Sequence, residues 1–563
     1  MVPRFVYENK HKDGKTMKTF QPKLFKVMKN YSKEQLVKDV IAGIIVAVIA
    51  LPLSIALALA SGVNPENGLY TAIVAGFIIS FLGGSRVQIA GPTAAFCTII
   101  AGIVYRSGME GLIVATVLAG GILILMGVLR FGSLIRFIPY TITTGFTAGI
   151  AVTIAIGQLK DFLGLTFTES PVETMEKLME VGKTITTFNW QAFVVAAVSL
   201  AILIFWPKKL AKIPASLIAV LVGAGMVKLL NMNVNTIGSL YEISGGLPKF
   251  SMPNFSLGLV KEVLPDAFTI AVLAAVESLL SCVVADGMIN SRHNSNTELI
   301  AQGAGNIASG LFGGIPATGA IARTAANIKN GGRTPIAGMV HAVVLALVMV
   351  VLMPYAALIP MPTIAAILMM VAYNMCGWRQ FVAIVKTSPK SDILVLVLTF
   401  GLTVVFDLVV AIEVGLVLAA LLFMKRMSDV AHVHAWKDAH DPALENQADI
   451  ILKEIPKHTL VYEIDGPMFF GAAEKFMNFP MAKDAEVLIL RMRNVPAMDV
   501  SGLRAIESVQ QQCTKHDVTL ILSHVCEQPL AVMKKAGLDK IIGEENFCAN
   551  IDAALARAEA LAK

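Results

Sequence analysis

The chain has 563 residues, of which 55% are hydrophobic and only 15% charged, with mean hydropathy +0.69 and a formal net charge of +6. Ordinary soluble domains carry about 25% charged residues, so the composition excludes a soluble globule. The positive balance does not point to nucleic acid either, because the cations are placed by membrane topology.

Read in chain order, the first 38 residues hold Arg4, Lys10, Lys12, Lys15, Lys18, Lys23, Lys26, Lys29, Lys33 and Lys38, a cytoplasmic-retention pattern. From about Val40 to Met424, apolar runs such as "VIAGIIVAVIALPLSIALALA" and "ILVLVLTFGLTVVF" recur with short polar breaks. Each is long enough to cross a hydrocarbon core of about 30 Å as a helix. "ALALAS" (56–61) imitates a signal-peptidase site, but its long polar leader and the spans that follow argue against cleavage. Cations return in "WPKKLAKIP", "NIKNGGRTP", "RQFVAIVKTSPK" and "MKRM". A reading of about fourteen spans puts all of these, and both termini, on the cytoplasmic side. The acidic loop "KDFLGLTFTESPVETMEKLMEVGK" then lies outside.

A polar stretch, roughly Asn231–Lys261, divides the membrane part into halves (about 39–235 and 262–427), each with room for about seven spans. "LGGSRVQIAGPTAAF" (82–96) and "LFGGIPATGAIARTA" (311–325) interrupt the third apolar element of each half. Matched breaks in two halves mark an inverted repeat with its site at broken helices. Backbone without helical partners survives at that depth only inside protein or beside a watery hollow. Helices starting near Pro92 and Ile321 therefore present free N–H groups and positive dipole ends to one place, an anion site. Pro92 suits a first-turn position. A kink or a close helix contact is the competing account of a single break.

The motifs "PENGLYTA", "GGSRVQIAGPTAAF", "ESLLSCVVADG", "HNSNTELIAQGAGN" and "GGRTPIAG" resemble the SulP, or sulfate permease, family of anion transporters from about Asp39 onward. Within it the chain looks most like the bacterial DauA-type dicarboxylate transporters. Asn67 departs from the family's usual Tyr, whereas Leu69 and Tyr70 keep the pattern. The resemblance implies a 7+7 inverted repeat of 14 spans with two broken half-helices, a core domain that moves against a gate domain, and a homodimer in the cytoplasmic membrane. By motif, it implies substrate contacts from Pro52, Leu53 and Leu57 in the first span and from Gly91 and Thr93 in the third element. Gly319, Ala322, Arg323 and Thr324 of the tenth element, with Glu277 and Ser281 of the eighth, complete the set.

Arg323 at bilayer depth is costly and marks function, its guanidinium being suited to a carboxylate or sulfate. A snorkelling arginine is the bland alternative. Glu277, the lone acid of its run, is the candidate carrier of a coupling proton, against a permanent ion pair with Arg323. Sodium-coupled bicarbonate members build a cation pocket from an eighth-span acid and hydroxyls. Here Ile321 occupies the tenth-element hydroxyl position and Arg323 replaces a small residue, which disfavours sodium. Asp407 and Glu413 read as structural partners, and His341 as a packed, hydrogen-bonded histidine. Asp286, His293, Asn294, Asn296 and Glu298 read as loop residues with gating or folding roles. "GAGNIA" (303–308) reads as small-residue helix packing, not a dinucleotide motif. "HVHAWKDAH" (432–440) reads as linker in place of a metal site.

After a linker at 428–450, residues 451–563 alternate strand and helix, an α/β pattern that resembles a STAS domain through "AMDVSGL" (497–503). It has no phosphate-binding loop and no nucleophile elbow. Ser501 matches the serine that related anti-sigma antagonists phosphorylate, and a helix cap is the alternative. The six cysteines show no C-x-x-C spacing. The reading is a secondary transporter of C4-dicarboxylate or sulfate, not an enzyme, without cofactor, metal or nucleic-acid partner. It is coupled to H+ rather than Na+, with a cytosolic protein as a possible STAS partner. Sodium–bicarbonate symport, exchange, an uncoupled anion channel and a membrane-anchored signalling protein are the alternatives.

Overall fold

The computed structural model describes residues 20–133, 139–169, 171, 173–207, 214–241, 246–406, 408–435, 455–471 and 485–561. Two compact units divide the chain, Met1–Leu416 and Val417–Lys563.

The first unit is helical. Helix α1 (Lys33–Ala60) starts at Ser32, whose hydroxyl accepts the Gln35 N–H, and contains Pro52, which removes one rung of its ladder. Helix α2 (Pro65–Leu82) opens on a proline at its first position. The two-residue strand β1 (Ala90–Gly91) precedes α3 (Cys97–Val128), which is two helices joined at Gly108, where φ is +64°. Then come α4 (Tyr140–Gly157), α5 (Trp190–Phe205) and α6 (Ala215–Leu229). The second half begins with α7 (Leu257–Ile289), capped by Ser256, and α8 (Ser295–Leu311), capped by Asn294. Strand β2 (Thr318–Gly319) leads into the short α9 (Ile321–Lys329), followed by α10 (Ile336–Ala356), α11 (Met361–Cys376), α12 (Lys390–Val405) and α13 (Leu408–Val430).

Among the described residues, 6 helices are long and apolar enough to cross a membrane by themselves. The other apolar helices are shorter or bent; the pair Thr174–Thr187 and Trp190–Phe205 turns by 120° inside the expected outer loop and its flank. Asp286 and Asn296, read as loop residues, lie in α7 and α8, as does Glu298, because Asn294 starts α8 earlier than the polar sequence suggested.

The helices pack as two groups. In one, α3 lies on α7 and α8 while α10 lies on α1 and α2, so each half sends a helix across to the first two helices of the other. In the second, α4 packs on α11 and α12, and α5 on α6 and α11. The α3–α8 contact is close because Gly120 and Gly303 face each other; a Cβ on Gly303 would lie 2.4 Å from the Gly120 carbonyl. "GAGNIA" is thus helix packing.

The second unit is a five-stranded sheet of order β3–β4–β5–β6–β7: β3 (His432–Ala435), β4 (Thr459–Asp465), β5 (Val487–Asn494), β6 (Thr519–Ser523) and β7 (Phe547–Cys548). β3 is antiparallel and the rest are parallel. Alternation along β5 buries Leu488 and Leu490 against α14 (Val500–Lys515) and α15 (Glu527–Lys535), and Val487 and Ile489 against α16 (Ile551–Leu561). β3 corrects the linker reading: His432 to Ala435 pair with Asp465 to Tyr462, because the edge of a sheet tolerates so polar a strand. The rest of "HVHAWKDAH", Asp407 and the expected helix "AAEKFMNF" lie outside the described residues.

Candidate functional site

The two breaks meet. β1 and β2 pair antiparallel, Ala90 opposite Gly319 and Gly91 opposite Thr318, and the Ala320 N–H donates to the Ile89 carbonyl at 2.9 Å. A helical turn starts at Ala94, continuous with α3, and α9 starts at Ile321, so two helix N-termini leave a single bridge. Neither N-cap residue, Thr93 or Ala320, makes a side-chain cap, which leaves first-turn N–H groups for another partner. Pro92 falls before this turn and not within it, because Thr93 is still extended (φ −127°, ψ 157°).

Each break is held by buried polar side chains. Glu298 of α8 accepts from Gly84 N–H (2.8 Å), Ser85 N–H (3.0 Å) and the Gln88 amide (2.9 Å) at the first break. Asn327 of α9 donates to the Val87 carbonyl at 2.8 Å. At the second, Thr71 of α2 accepts from Ile315 N–H at 2.7 Å, and Asn306 of α8 brackets Ala317 through both its amide atoms. Ser278 of α7 accepts from Gly319 N–H at 3.0 Å. Asp39 of α1, fully buried, closes the turn after α9 by accepting from Arg333 N–H and the Thr334 hydroxyl. Sequence reasoning passed over Thr71, Ser278, Asn306 and Asp39 as clamps, because no local pattern sets them apart from the polar residues around them.

Arg323 is 2% exposed and donates from one terminal nitrogen to the Pro92 carbonyl at 2.5 Å. Its Nε and other terminal nitrogen have no hydrogen-bond partner among the described residues. The next residue, Thr93, donates its hydroxyl to Glu277 at 2.9 Å. Arg323 and Glu277 therefore close on two consecutive residues of the first break, and no ion pair joins them among the described residues. In place of a permanent pair, Arg323 of α9 bonds the Pro92 carbonyl and Glu277 of α7 accepts the Thr93 hydroxyl, each from its own helix. The same bond to Pro92 takes the place of snorkelling.

The other expected residues divide by exposure. Leu53, Thr93 and Glu277 are half-buried and Ala322 is exposed, forming the open edge of the cluster. Gly91, Gly319, Leu57, Ser281 and Thr324 are buried. The Thr324 hydroxyl accepts from Ile89 N–H at 3.0 Å and from Ser281 at 3.4 Å, so both hydroxyls serve the break itself. His341 is buried, but neither ring nitrogen has a hydrogen-bond partner among the described residues, which corrects the hydrogen-bonded reading; it lies over Gly76, beside β1. Glu413 is exposed on α13. In the second unit Asp499 caps α14 by accepting from Gly502 N–H at 2.9 Å, which leaves Ser501 in the first turn without that task.

Paired helix breaks, an exchanged packing of two halves and a buried, under-partnered guanidinium define an anion-transporter fold joined to an α/β unit. The chain belongs to the sulfate permease family, whose model matches residues 36–399; a STAS domain matches 449–554. It is 41% identical over 92% of its length, and 97% of the relative's, to YvdB of Bacillus subtilis, which carries a provisional sulfate-transporter name. It is 31% identical to the bicarbonate transporter BicA of a Picosynechococcus, over 92% of this chain and 94% of that one. The BicA transmembrane domain superposes with TM-score 0.61 over 69% of this chain and 98% of that one, at 30% identity. Murine Slc26a9, an anion transporter in the inward-facing state, gives 0.86 over 99% and 100% at 20% identity, a likeness of fold. Members of this family are transporters, not enzymes.

Proposed function

We propose that this protein is a secondary transporter that carries a small divalent anion, sulfate or a C4-dicarboxylate, across the cytoplasmic membrane by alternating access. The observation that carries the reading is Arg323, buried at the paired breaks with two nitrogens unpartnered. Its free N–H groups and the first turns at Ala94 and Ile321 form the anion seat, bounded by Gly91, Thr93, Gly319 and Ala322, with Leu53 and Leu57 of α1 as its apolar wall. A buried guanidinium without a resident carboxylate favours a doubly charged ligand. The group of α1, α2, α3 and α7–α10 moves against that of α4–α6, α11 and α12, within 14 spans, a homodimer and cytoplasmic termini. Glu277 carries the coupling proton: it holds Thr93 beside the seat and rearranges when protonated. The STAS unit regulates, with Ser501 as its phosphate acceptor at a helix start.

Uptake into proteoliposomes under separate pH and sodium gradients tests this. An inward proton gradient drives accumulation of sulfate or succinate, and Glu277→Gln makes uptake insensitive to pH. Sodium dependence without pH dependence, with bicarbonate as the preferred ion, sinks the proton reading in favour of symport like that named for BicA; the likeness to BicA and the absence of an Arg323–Glu277 pair favour this second reading. Current without accumulation identifies a channel.

A further inference from the structure

A cleft of about 740 Å³ opens at the end of the first unit where the chain enters α1. Lys23, Lys26, Arg86, Arg292 and Arg333 line it, and among the described residues no carboxylate does. Four separate segments supply these cations: the short helix Lys23–Val27, the stretch before β1, the loop after α7, and the turn between α9 and α10. Burial first, and then its helix neighbour Lys26, hold the Lys23 ammonium below its ordinary pKa, with Arg86 of another segment adding to the same sense. Asp286 acts on Lys23 in the opposite sense, but its carboxylate is taken by His293 (2.7 Å) and Ser291 (2.8 Å). Lys23 donates to the Arg292 carbonyl at 2.7 Å, which fixes one wall, and the buried Nε of Arg86 has no hydrogen-bond partner among the described residues.

The cleft is not the transport path. Its lining comes entirely from the group of helices around α1, α7 and α9, whereas the proposed path lies between the two groups. Its size suits a ligand larger than sulfate, while the Tyr31 hydroxyl and Gln35 amide on its wall are held by Asp39 and leave the cations to the ligand. The apolar side of the same short helix is exposed: Phe25 is 58% exposed and meets Phe81 of α2 edge-on at 6.0 Å. An exposed phenylalanine beside two lysines on one short helix suits a lipid–water boundary.

We propose that this cleft binds a phosphate group, presented by an anionic phospholipid headgroup or by a soluble polyphosphate, and that occupancy ties the Lys23–Val27 helix to the loop after α7 and the turn after α9. Two of the four lining segments adjoin the breaks, with Arg86 just before β1 and Arg333 just after α9, so the ligand braces the proposed anion seat without entering it.

Native mass spectrometry of the purified full chain tests this with two probes, dioleoylphosphatidylglycerol and inorganic pyrophosphate, and dioleoylphosphatidylcholine as the neutral control. The wild type retains the anionic probe and not phosphatidylcholine. Lys26→Gln/Arg292→Gln, a change at two exposed positions, weakens retention by about thirtyfold, the effect of two cations at an anionic surface. Arg379→Gln/Lys386→Gln, an equal charge change on the amphipathic helix Trp378–Thr387, leaves it unaltered. Binding of phosphatidylglycerol alone assigns the phosphate to lipid; displacement of the lipid by pyrophosphate assigns it to the aqueous side. Equal retention by the wild type and the first variant in both arms, or an equal loss in the second variant, overturns the proposal. None of these readouts depends on transport.

Discussion

The two breaks occupy matched places, yet they are built from different chemistry. The first is held by a carboxylate: Glu298 gathers two backbone N–H groups and the Gln88 amide, all buried. The second is held by neutral groups, the Thr71 hydroxyl, the Asn306 amide and the Ser278 hydroxyl. The buried cation is distributed the other way: Arg323 belongs to the second break and spends one hydrogen bond on the first. The half that carries Arg323 is thus fixed without a carboxylate, and the half that receives it is fixed by one placed beyond the bridge. A carboxylate at Thr71 or Ser278 would neutralise the seat that Arg323 supplies. The asymmetry separates holding the backbone from attracting the ligand.

The largest expected effect comes from removing the cation. Arg323→Ala lowers uptake by about a hundredfold or more, the scale of losing one partner of a buried charged contact, while the melting temperature in detergent stays within a few degrees. Arg323→Lys recovers part of the activity, since an ammonium supplies charge without the fork. Unchanged uptake in Arg323→Ala would falsify the anion seat. Next is the carboxylate clamp. Glu298→Ala leaves four buried donors, the Gly84 and Ser85 N–H groups and the Gln88 and Gln302 amides, without an acceptor at about 1–3 kcal/mol each, so folded yield and melting temperature fall sharply. A melting temperature equal to the wild type's would mean that the Gly84–Ser85 turn does not need its anion.

The glycines at the bridge separate the two roles more finely. A Cβ at Gly91 would lie 2.5 Å from an Arg323 terminal nitrogen, and one at Gly319 would lie 2.1 Å from the Gln88 amide nitrogen. Gly91→Ala therefore displaces the cation, and transport falls about tenfold, the order of 1–2 kcal/mol of steric strain, with little loss of stability. Gly319→Ala pushes Gln88 off Glu298 and lowers the melting temperature before it changes substrate affinity. The reverse pattern, an unstable Gly91→Ala and a stable but inactive Gly319→Ala, would invert the assignment.

Much of this was legible in the residues. The Gly-Gly pairs, the small residues after them and the lone Arg323 marked both breaks and their likeness, because backbone interruption has a strong compositional signal. The start of α9 at Ile321 was readable, whereas the first helical turn begins two residues beyond Pro92, since a proline marks where helix is permitted and does not compel it. The clamps were not readable. Thr71 looks like an incidental polar residue, and Glu298 like loop decoration, until folding brings residues more than two hundred positions apart into contact; Ser278 and Asn306 act over shorter spans, but only once the break has folded back on their helices. The same limit hid β3 and β7, a polar edge strand and a two-residue strand, too short or too exposed to carry an alternating pattern.

The smallest effect falls on the neutral clamp. Thr71→Val keeps the shape of the side chain and removes the oxygen that accepts the Ile315 N–H. One buried donor is left unpaired, at about 1–3 kcal/mol, against four for Glu298→Ala. The Ser309 hydroxyl, which lies 2.8 Å from the Ile315 carbonyl and 3.3 Å from Thr71, remains to hold the carbonyl side of the turn. The variant should melt a few degrees lower and transport with an unchanged preference among anions, because Thr71 lies on the far side of β2 from Arg323 in sequence and bonding. If Thr71→Val destabilised the protein as much as Glu298→Ala, the charge on the first clamp would add nothing that a hydroxyl does not already provide, and the division between a charged hold and a neutral one would have no energetic content.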